Sequence, residues 1–220
     1  MPASERQGLP TEVNEWAKAD HASAYLARAE GIPHRMEGEA VVLELLPARV
    51  RRVLDLGCGD GRLLGLVLVE RPDAEGVAVD FSATMLAAVR ARFGDDPRVS
   101  VIEHDLSLPL PDFGTFDAVV SSFAIHHLTD LRKRELYREI FGALTPGGRF
   151  CNLEHVSSPT EALHAEFYRA LGQSVEDEDP SNKCIPLDVQ LDWLRAIGFA
   201  DVDCFWKWRE LALLSGTKPL

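Results

Sequence analysis

The sequence is short of positive charge: among 220 residues, 23 Lys and Arg stand against 35 Asp and Glu, a formal net charge of −12. A protein that grips nucleic acid in bulk needs a basic footprint to neutralise phosphates, so no nucleic-acid partner is expected. A long apolar run is also missing. The longest, Leu63 to Val69, has Gly65 inside it and falls far below the ~20 residues that span a bilayer, so no membrane partner is expected either. The first residues, Met1 to Gly8, hold no apolar signal core. The four cysteines, Cys58, Cys151, Cys184 and Cys204, include no C-x-x-C pair. That argues against structural zinc and a disulfide framework, and fits reduced thiols in a cytoplasmic protein. Neither an H-x-x-x-H pattern nor a carboxylate cluster of ligand spacing is present, so no metal is expected.

What is present is ample apolar content, 46% of residues, enough for one buried core in a single domain of generous size. Residues 1–50 read as a helical cap, with Trp16, Ala19, Ala22, Ser23 and Leu26 at helical spacing and a second helix from Glu39 to Leu46. From Arg51 short apolar runs alternate with amphipathic stretches, the pattern of strand–helix units and a parallel sheet. Strands are expected at Arg52–Leu56, Gly76–Asp80, Val99–Glu103, Phe116–Ser121 and Arg149–Leu153. Helices are expected near Gly61–Glu70, Ser82–Arg92 with Ser82 as N-cap, Leu131–Leu144 and Glu161–Leu171, and one through Leu187 to Ile197. The acidic run Glu176 to Asp179 reads as a solvated loop. Val202–Trp208 and Glu210–Ser215 read as a closing hairpin. The fold class is therefore α/β, a doubly wound, mainly parallel sheet with a C-terminal antiparallel hairpin. Residues 51–155 form its ligand-binding core, 156–200 a substrate-side insert and 201–220 the hairpin.

The sharpest feature is Asp55-Leu56-Gly57-Cys58-Gly59-Asp60-Gly61, where a buried strand gives way to a helix. Glycines there allow positive φ and let a ligand approach the backbone closely. Two acids make this turn informative. Asp55 precedes it at the strand end, where a carboxylate repels the pyrophosphate that a dinucleotide would place on the loop. Asp80 ends the next strand, 23 residues after Gly57, a spacing suited to accepting hydrogen bonds from ribose hydroxyls. Together they describe a nucleoside carrying positive charge.

These residues resemble the first motif and the ribose-binding acid of class I S-adenosylmethionine-dependent methyltransferases. His104-Asp105-Leu106 resembles that superfamily's adenine segment, Phe116-Asp117-Ala118-Val119-Val120-Ser121 its fourth-strand motif, and Leu144-Thr145-Pro146-Gly147-Gly148-Arg149 its turn before the fifth strand. The resemblance covers Arg51 to Leu153 and implies a Rossmann-like sheet of seven strands with an antiparallel last strand. The cofactor it implies is S-adenosyl-L-methionine, and the activity is methyl transfer to a small-molecule acceptor by in-line displacement. Asp55, Gly57 and Gly59 would then meet the methionine part, Asp80 the ribose, and Asp105 and Leu106 the adenine, with Cys58 and Phe81 also among the cofactor-binding residues. Ser121, Ser122 and Phe123 would line the pocket beside the methionine part. Two other readings stand beside this one: a carboxy-S-adenosylmethionine synthase-like enzyme, which the C-terminal hairpin loosely resembles, and an NAD(P)-dependent oxidoreductase, which Asp55 disfavours.

A positively charged sulfur already activates the donor, so the protein mainly supplies alignment, with a general base where the acceptor must lose a proton. Candidates for that base leave the sheet at its carboxyl edge: His126 and His127 after the fourth strand, and Glu154 and His155 after the fifth. The resemblance implies an acceptor pocket built from the N-terminal segment and the insert after the fifth strand, which here supply Trp16, His21, Tyr25, His34, Arg35, His164, Phe167 and Tyr168, although aromatics at helical spacing read more often as core than as a substrate platform. Near the end of the chain, Trp206 and Trp208 alternate with Lys207 and Arg209, which in a strand puts one pair inside and the other outside. The sequence does not specify an oligomeric state.

Overall fold

A computed structural model describes residues 31–220. Trp16, His21, Tyr25 and the first expected helix lie outside the described residues. The elements run α1 (Arg35–Leu45), β1 (Arg52–Leu56), α2 (Arg62–Glu70), β2 (Glu75–Asp80), α3 (Ala83–Phe93), β3 (Val99–Glu103) and β4 (Phe116–Ser122). They continue with α4 (Asp130–Ala143), β5 (Leu144–His155), α5 (Glu161–Ala170), α6 (Leu187–Ile197), β6 (Ala200–Trp208) and β7 (Leu211–Thr217). Short 3₁₀ turns occupy Ile125–His127 and Val175–Asp177.

The seven strands form one sheet in the order β3-β2-β1-β4-β5-β7-β6. Strands β1 to β5 pair in parallel, while β7 runs antiparallel to both β5 and β6. Side chains on successive strand residues leave opposite faces, and each face carries its own core. On one, Val42 of α1, Leu64 and Val67 of α2, Val89 of α3 and Phe167 of α5 pack with Val53, Ala78, Val120 and Leu153. On the other, Leu136 and Ile140 of α4 and Leu194 of α6 pack with Leu54, Val79, Val119, Phe150 and Leu214. Burial on both faces is why the central strands read as near-continuous apolar runs.

Three local expectations need correcting. Ser82 does hold the N-cap position of α3, but its side chain makes no capping bond. Asp80 Oδ1 instead accepts the N–H of Ser82 itself at 2.9 Å, which fixes the turn leading into α3. Strand β5 begins at Leu144, five residues before the expected start at Arg149. Thr145 to Gly148 are absorbed as an irregularity in its pairing with β4, tied to the C-terminus by Gly147 N–H to Lys218 O at 2.8 Å. The acidic run is only partly solvated, since Glu178 and Asp179 both hold partners described below. In β6 the tryptophans are half-buried and Lys207 is exposed, so the apolar set faces inward.

Candidate active site

Strand order reverses between β1 and β4, and an open sheet binds ligands at such a switch point, beyond the strands' carboxyl ends. A cavity of about 630 Å³ lies there, walled by the ends of β1, β2 and β4 and by the loop before α6. The turn after β1 forms its floor. Gly57 and Gly59 hold φ of +65° and +56°, in the left-handed region that glycine tolerates. A Cβ on Gly57 would sit 2.3 Å from Ala124 Cβ, whereas one on Gly59 would meet nothing within 4 Å and would occupy open cavity. Cys58 N–H donates to Val79 O at 2.9 Å, which stitches the turn to β2.

Asp55 is buried at the end of β1. Its Oδ2 accepts the Leu64 N–H at 3.2 Å, anchoring the first turn of α2, while Oδ1 is buried with no hydrogen-bond partner among the described residues. Burial pushes its carboxyl up to about 7, although the Leu64 bond pulls the other way. Asp80 accepts from Gly59 N–H at 3.0 Å and from Ser82 N–H at 2.9 Å. Burial raises its pKa too, again against its backbone bonds. Asp80 thus holds the glycine turn and Asp55 the first turn of α2, and both side chains face the cavity.

Of the cofactor-side residues singled out in the sequence, Asp55, Gly57, Cys58, Gly59, Asp80, Phe81, Asp105, Leu106 and Ser122 all line this cavity. Ser121 does not: it is fully buried, and its Oγ donates to Leu56 O at 2.7 Å, pinning β4 to β1. Ser122 Oγ and His104 Nε2 are buried beside the same space with no hydrogen-bond partner among the described residues. Phe123 turns the chain out of β4 with φ +53°, backbone strain of a kind that gathers at binding sites.

The acceptor-side candidates separate. His127 lines the cavity. His126, Glu154 and His155 do not, and form a buried layer behind it. His126 Nδ1 lies 2.6 Å from Glu154 Oε1, which also accepts the His155 N–H at 2.8 Å. His155 Nε2 meets Glu210 Oε2 at 2.9 Å, and Glu210 Oε1 meets His164 Nδ1 at 2.9 Å. His164 in turn faces Glu178. Burial pushes Glu154 up to about 7 and holds His126 well below the usual imidazole range, helped by His155 and Lys133. His127 is likewise held low, by burial and by the neighbouring His126, whose ring centroid is 4.0 Å away. Phe167 and Tyr168 belong to the core, and His34 packs on Trp208. Arg35 alone of the described N-terminal candidates reaches the cavity, paired with the buried Glu39 at 2.8 Å.

Sequence reasoning missed several cavity residues. Arg132, from α4, lines the wall and donates to Leu106 O at 2.7 Å and to Glu139. Pro180, Ser181 and Lys183 arrive from the loop before α6. The polar, proline-broken character of that loop was visible in the sequence, but nothing local in the chain says that it folds back over His127.

Residues 53–148 match the model of a methyltransferase domain family. A demethylmenaquinone methyltransferase of Thermus thermophilus is 42% identical over 138 residues, 60% of this chain and 60% of its own length. The chain thus spans about three-fifths of that relative. Among solved structures, an O-methyltransferase family protein from Burkholderia thailandensis superposes with TM-score 0.70 at 23% identity, covering 91% of this chain and 59% of its own. Human N-acetylserotonin methyltransferase in complex with S-adenosylmethionine does so with TM-score 0.69 at 16% identity, over 97% and 61%. The glycine turn between two acids, the sheet order and the comparisons agree: residues 53–148 match a methyltransferase domain, and the fold is that of the class I S-adenosylmethionine-dependent methyltransferases.

Proposed function

We propose that this chain moves a methyl group from S-adenosylmethionine to a small-molecule acceptor by in-line displacement. The observation that carries the reading is the pair Asp55 and Asp80 facing one cavity across a glycine turn. The residues fit the donor. Asp55 keeps a buried oxygen with no partner among the described residues, which suits a cationic group and penalises a phosphate. Gly59 leaves room for a ligand against its backbone. Asp55, Gly57, Cys58, Gly59 and Ser122 would hold the methionine part, Asp80 and Phe81 the ribose, and Asp105 and Leu106 the adenine. Bound there, S-adenosylmethionine supplies an electrophilic methyl group on a sulfonium.

The chain's own work is alignment and, for an acidic acceptor, removal of a proton. Holding two reactants in attack geometry replaces a bimolecular encounter and accounts for most of what such a site needs to supply. His127 is the base this reading favours, because it lines the cavity and its depressed pKa leaves it neutral at neutral pH. A positioned base adds about 10²–10⁴-fold. Glu154, His126 and His155 serve behind it as a hydrogen-bonded wall. The Thermus relative's named activity makes a reduced short-chain demethylmenaquinone the first acceptor to try. Incubation with isotopically methyl-labelled donor should give a product that gains the labelled methyl. Tight binding of a nicotinamide dinucleotide, with no uptake of S-adenosylmethionine, would refute the reading.

A further inference from the structure

The loop from Glu178 to Ile185, whose acidic start reads in sequence as solvent-facing, is fastened to the turn that carries His126 and His127. Lys183 N–H donates to His126 O at 3.0 Å, and Lys183 Nζ to His127 O at 3.4 Å. The buried Lys133 donates to Lys183 O, and Ser157 N–H donates to Ile185 O at 3.0 Å. Held in this way, the loop presents Ser181 to the His127 ring. Ser181 Oγ lies 3.0 Å from His127 Nδ1 and 2.7 Å from Asp179 Oδ1. Asp179 is itself fixed, because the same Oδ1 accepts the Ser181 N–H at 2.9 Å and its carbonyl accepts the Asn182 N–H at 3.0 Å.

A hydroxyl has one proton to give, and a carboxylate can only accept. The Ser181 proton therefore goes to Asp179, and toward His127 the hydroxyl oxygen acts as acceptor. The Ser181 carbonyl, 3.4 Å from the same ring nitrogen, is an acceptor as well. Both partners require a proton on Nδ1. A neutral imidazole carries one N–H, so its lone pair falls on Nε2.

We propose that Ser181 and Asp179 are positioning residues that hold His127 as its Nδ1–H tautomer, making Nε2 the nitrogen that takes the acceptor's proton. This rests on the reading of His127 as the base and adds what orients it. In the step, the acceptor's X–H pair forms the new bond to the methyl carbon, and the C–S pair returns to sulfur. The proton passes to Nε2, and the resulting imidazolium keeps its Nδ1–H on Ser181 with the Asp179 carboxylate behind it. Exchange with solvent then discharges the proton.

The test is a long-range ¹H–¹⁵N correlation spectrum of the histidine rings in the full chain, with His127→Gln to assign the signal. Wild type should show His127 protonated at Nδ1 and bare at Nε2. Ser181→Ala should move population to the Nε2–H form that free histidine favours, and Ser181→Thr, which keeps the hydroxyl, should restore the wild-type pattern. With reduced short-chain demethylmenaquinone as probe, Ser181→Ala should lower kcat about tenfold while the affinity for S-adenosylmethionine stays unchanged. A wild-type ring protonated at Nε2, or a Ser181→Ala spectrum identical to wild type, overturns the proposal and leaves His127 standing as a candidate base. Undiminished turnover by His127→Gln overturns the underlying reading instead, and the positioning role with it.

Discussion

Donor binding should be coupled to the protonation of Asp55. In the free protein, burial lifts this carboxyl to about 7, and its Oδ1 finds no hydrogen-bond partner among the described residues. A cationic ligand beside it stabilises the charged form and returns the group toward the ordinary value of 3.8. The sign follows. Between those two values the free protein holds a proton that the complex does not, so binding releases it and affinity falls as pH falls. At pH 7 about half a proton should be released, and from pH 8 to pH 6 affinity should drop about tenfold, roughly 1.4 kcal/mol. Without ligand, the same raised pKa costs the fold stability as pH climbs from about 4 to about 7, so S-adenosylmethionine should protect most above that window. Titration calorimetry at three pH values, in two buffers of different ionisation heat, measures both proton release and slope. Asp55→Asn should bind more weakly at pH 8 and lose the slope. A flat affinity profile, or an unchanged slope in Asp55→Asn, would refute the reasoning.

Three further outcomes follow from the geometry. Asp80→Ala removes the acceptor for Gly59 N–H and Ser82 N–H, so it should lower donor affinity by tenfold or more and also cost about 1–3 kcal/mol of stability in chemical denaturation. Gly57→Ala should destabilise severely, since its Cβ would overlap Ala124. Gly59→Ala should cost only about 1–2 kcal/mol for its left-handed backbone yet hinder donor binding, a split read by thermal melts beside calorimetry. Glu154, pushed to about 7 from 4.5, should drain stability as pH rises through that interval, by up to about 3 kcal/mol. The low pKa of His126 acts oppositely, removing stability as pH falls below about 6.5. Glu154→Gln should therefore raise the melting temperature at pH 8 and change it little at pH 5, and a larger gain at pH 5 would contradict that assignment.

How far the molecule could be read in advance depended on the range of the interactions involved. Strand β1 falls at the residues its apolar run predicts, because burial on both faces leaves a continuous signature in a few residues, and the partly exposed edge strand β3 falls where the β-branched Val99, Val101 and Ile102 place it. The cavity acids were legible for a local reason too: Asp55 and Asp80 sit at strand ends beside a glycine turn, and the parallel pairing of β1 with β2 brings their two ends together. The chain's long-range meetings left no such mark. Ser181 lies 54 positions from the His127 ring it contacts, and Glu210 is 55 from His155. Lys133, buried beside the apolar stripe of α4, could be recognised only once the carbonyl of Lys183 was in place to accept from it. Ser121 and Ser122 are neighbours of identical type, and only the pleat decides that one pins two strands while the other meets the cavity.

Calorimetric titration of the purified protein with S-adenosylmethionine and, separately, with NADH asks directly whether two carboxylates around a glycine turn select a cationic nucleoside over a diphosphate. Saturable one-site binding of the sulfonium compound, weakened by Asp80→Ala, with no heat from NADH, is the expected result. Tight binding of NADH and none of S-adenosylmethionine would contradict it.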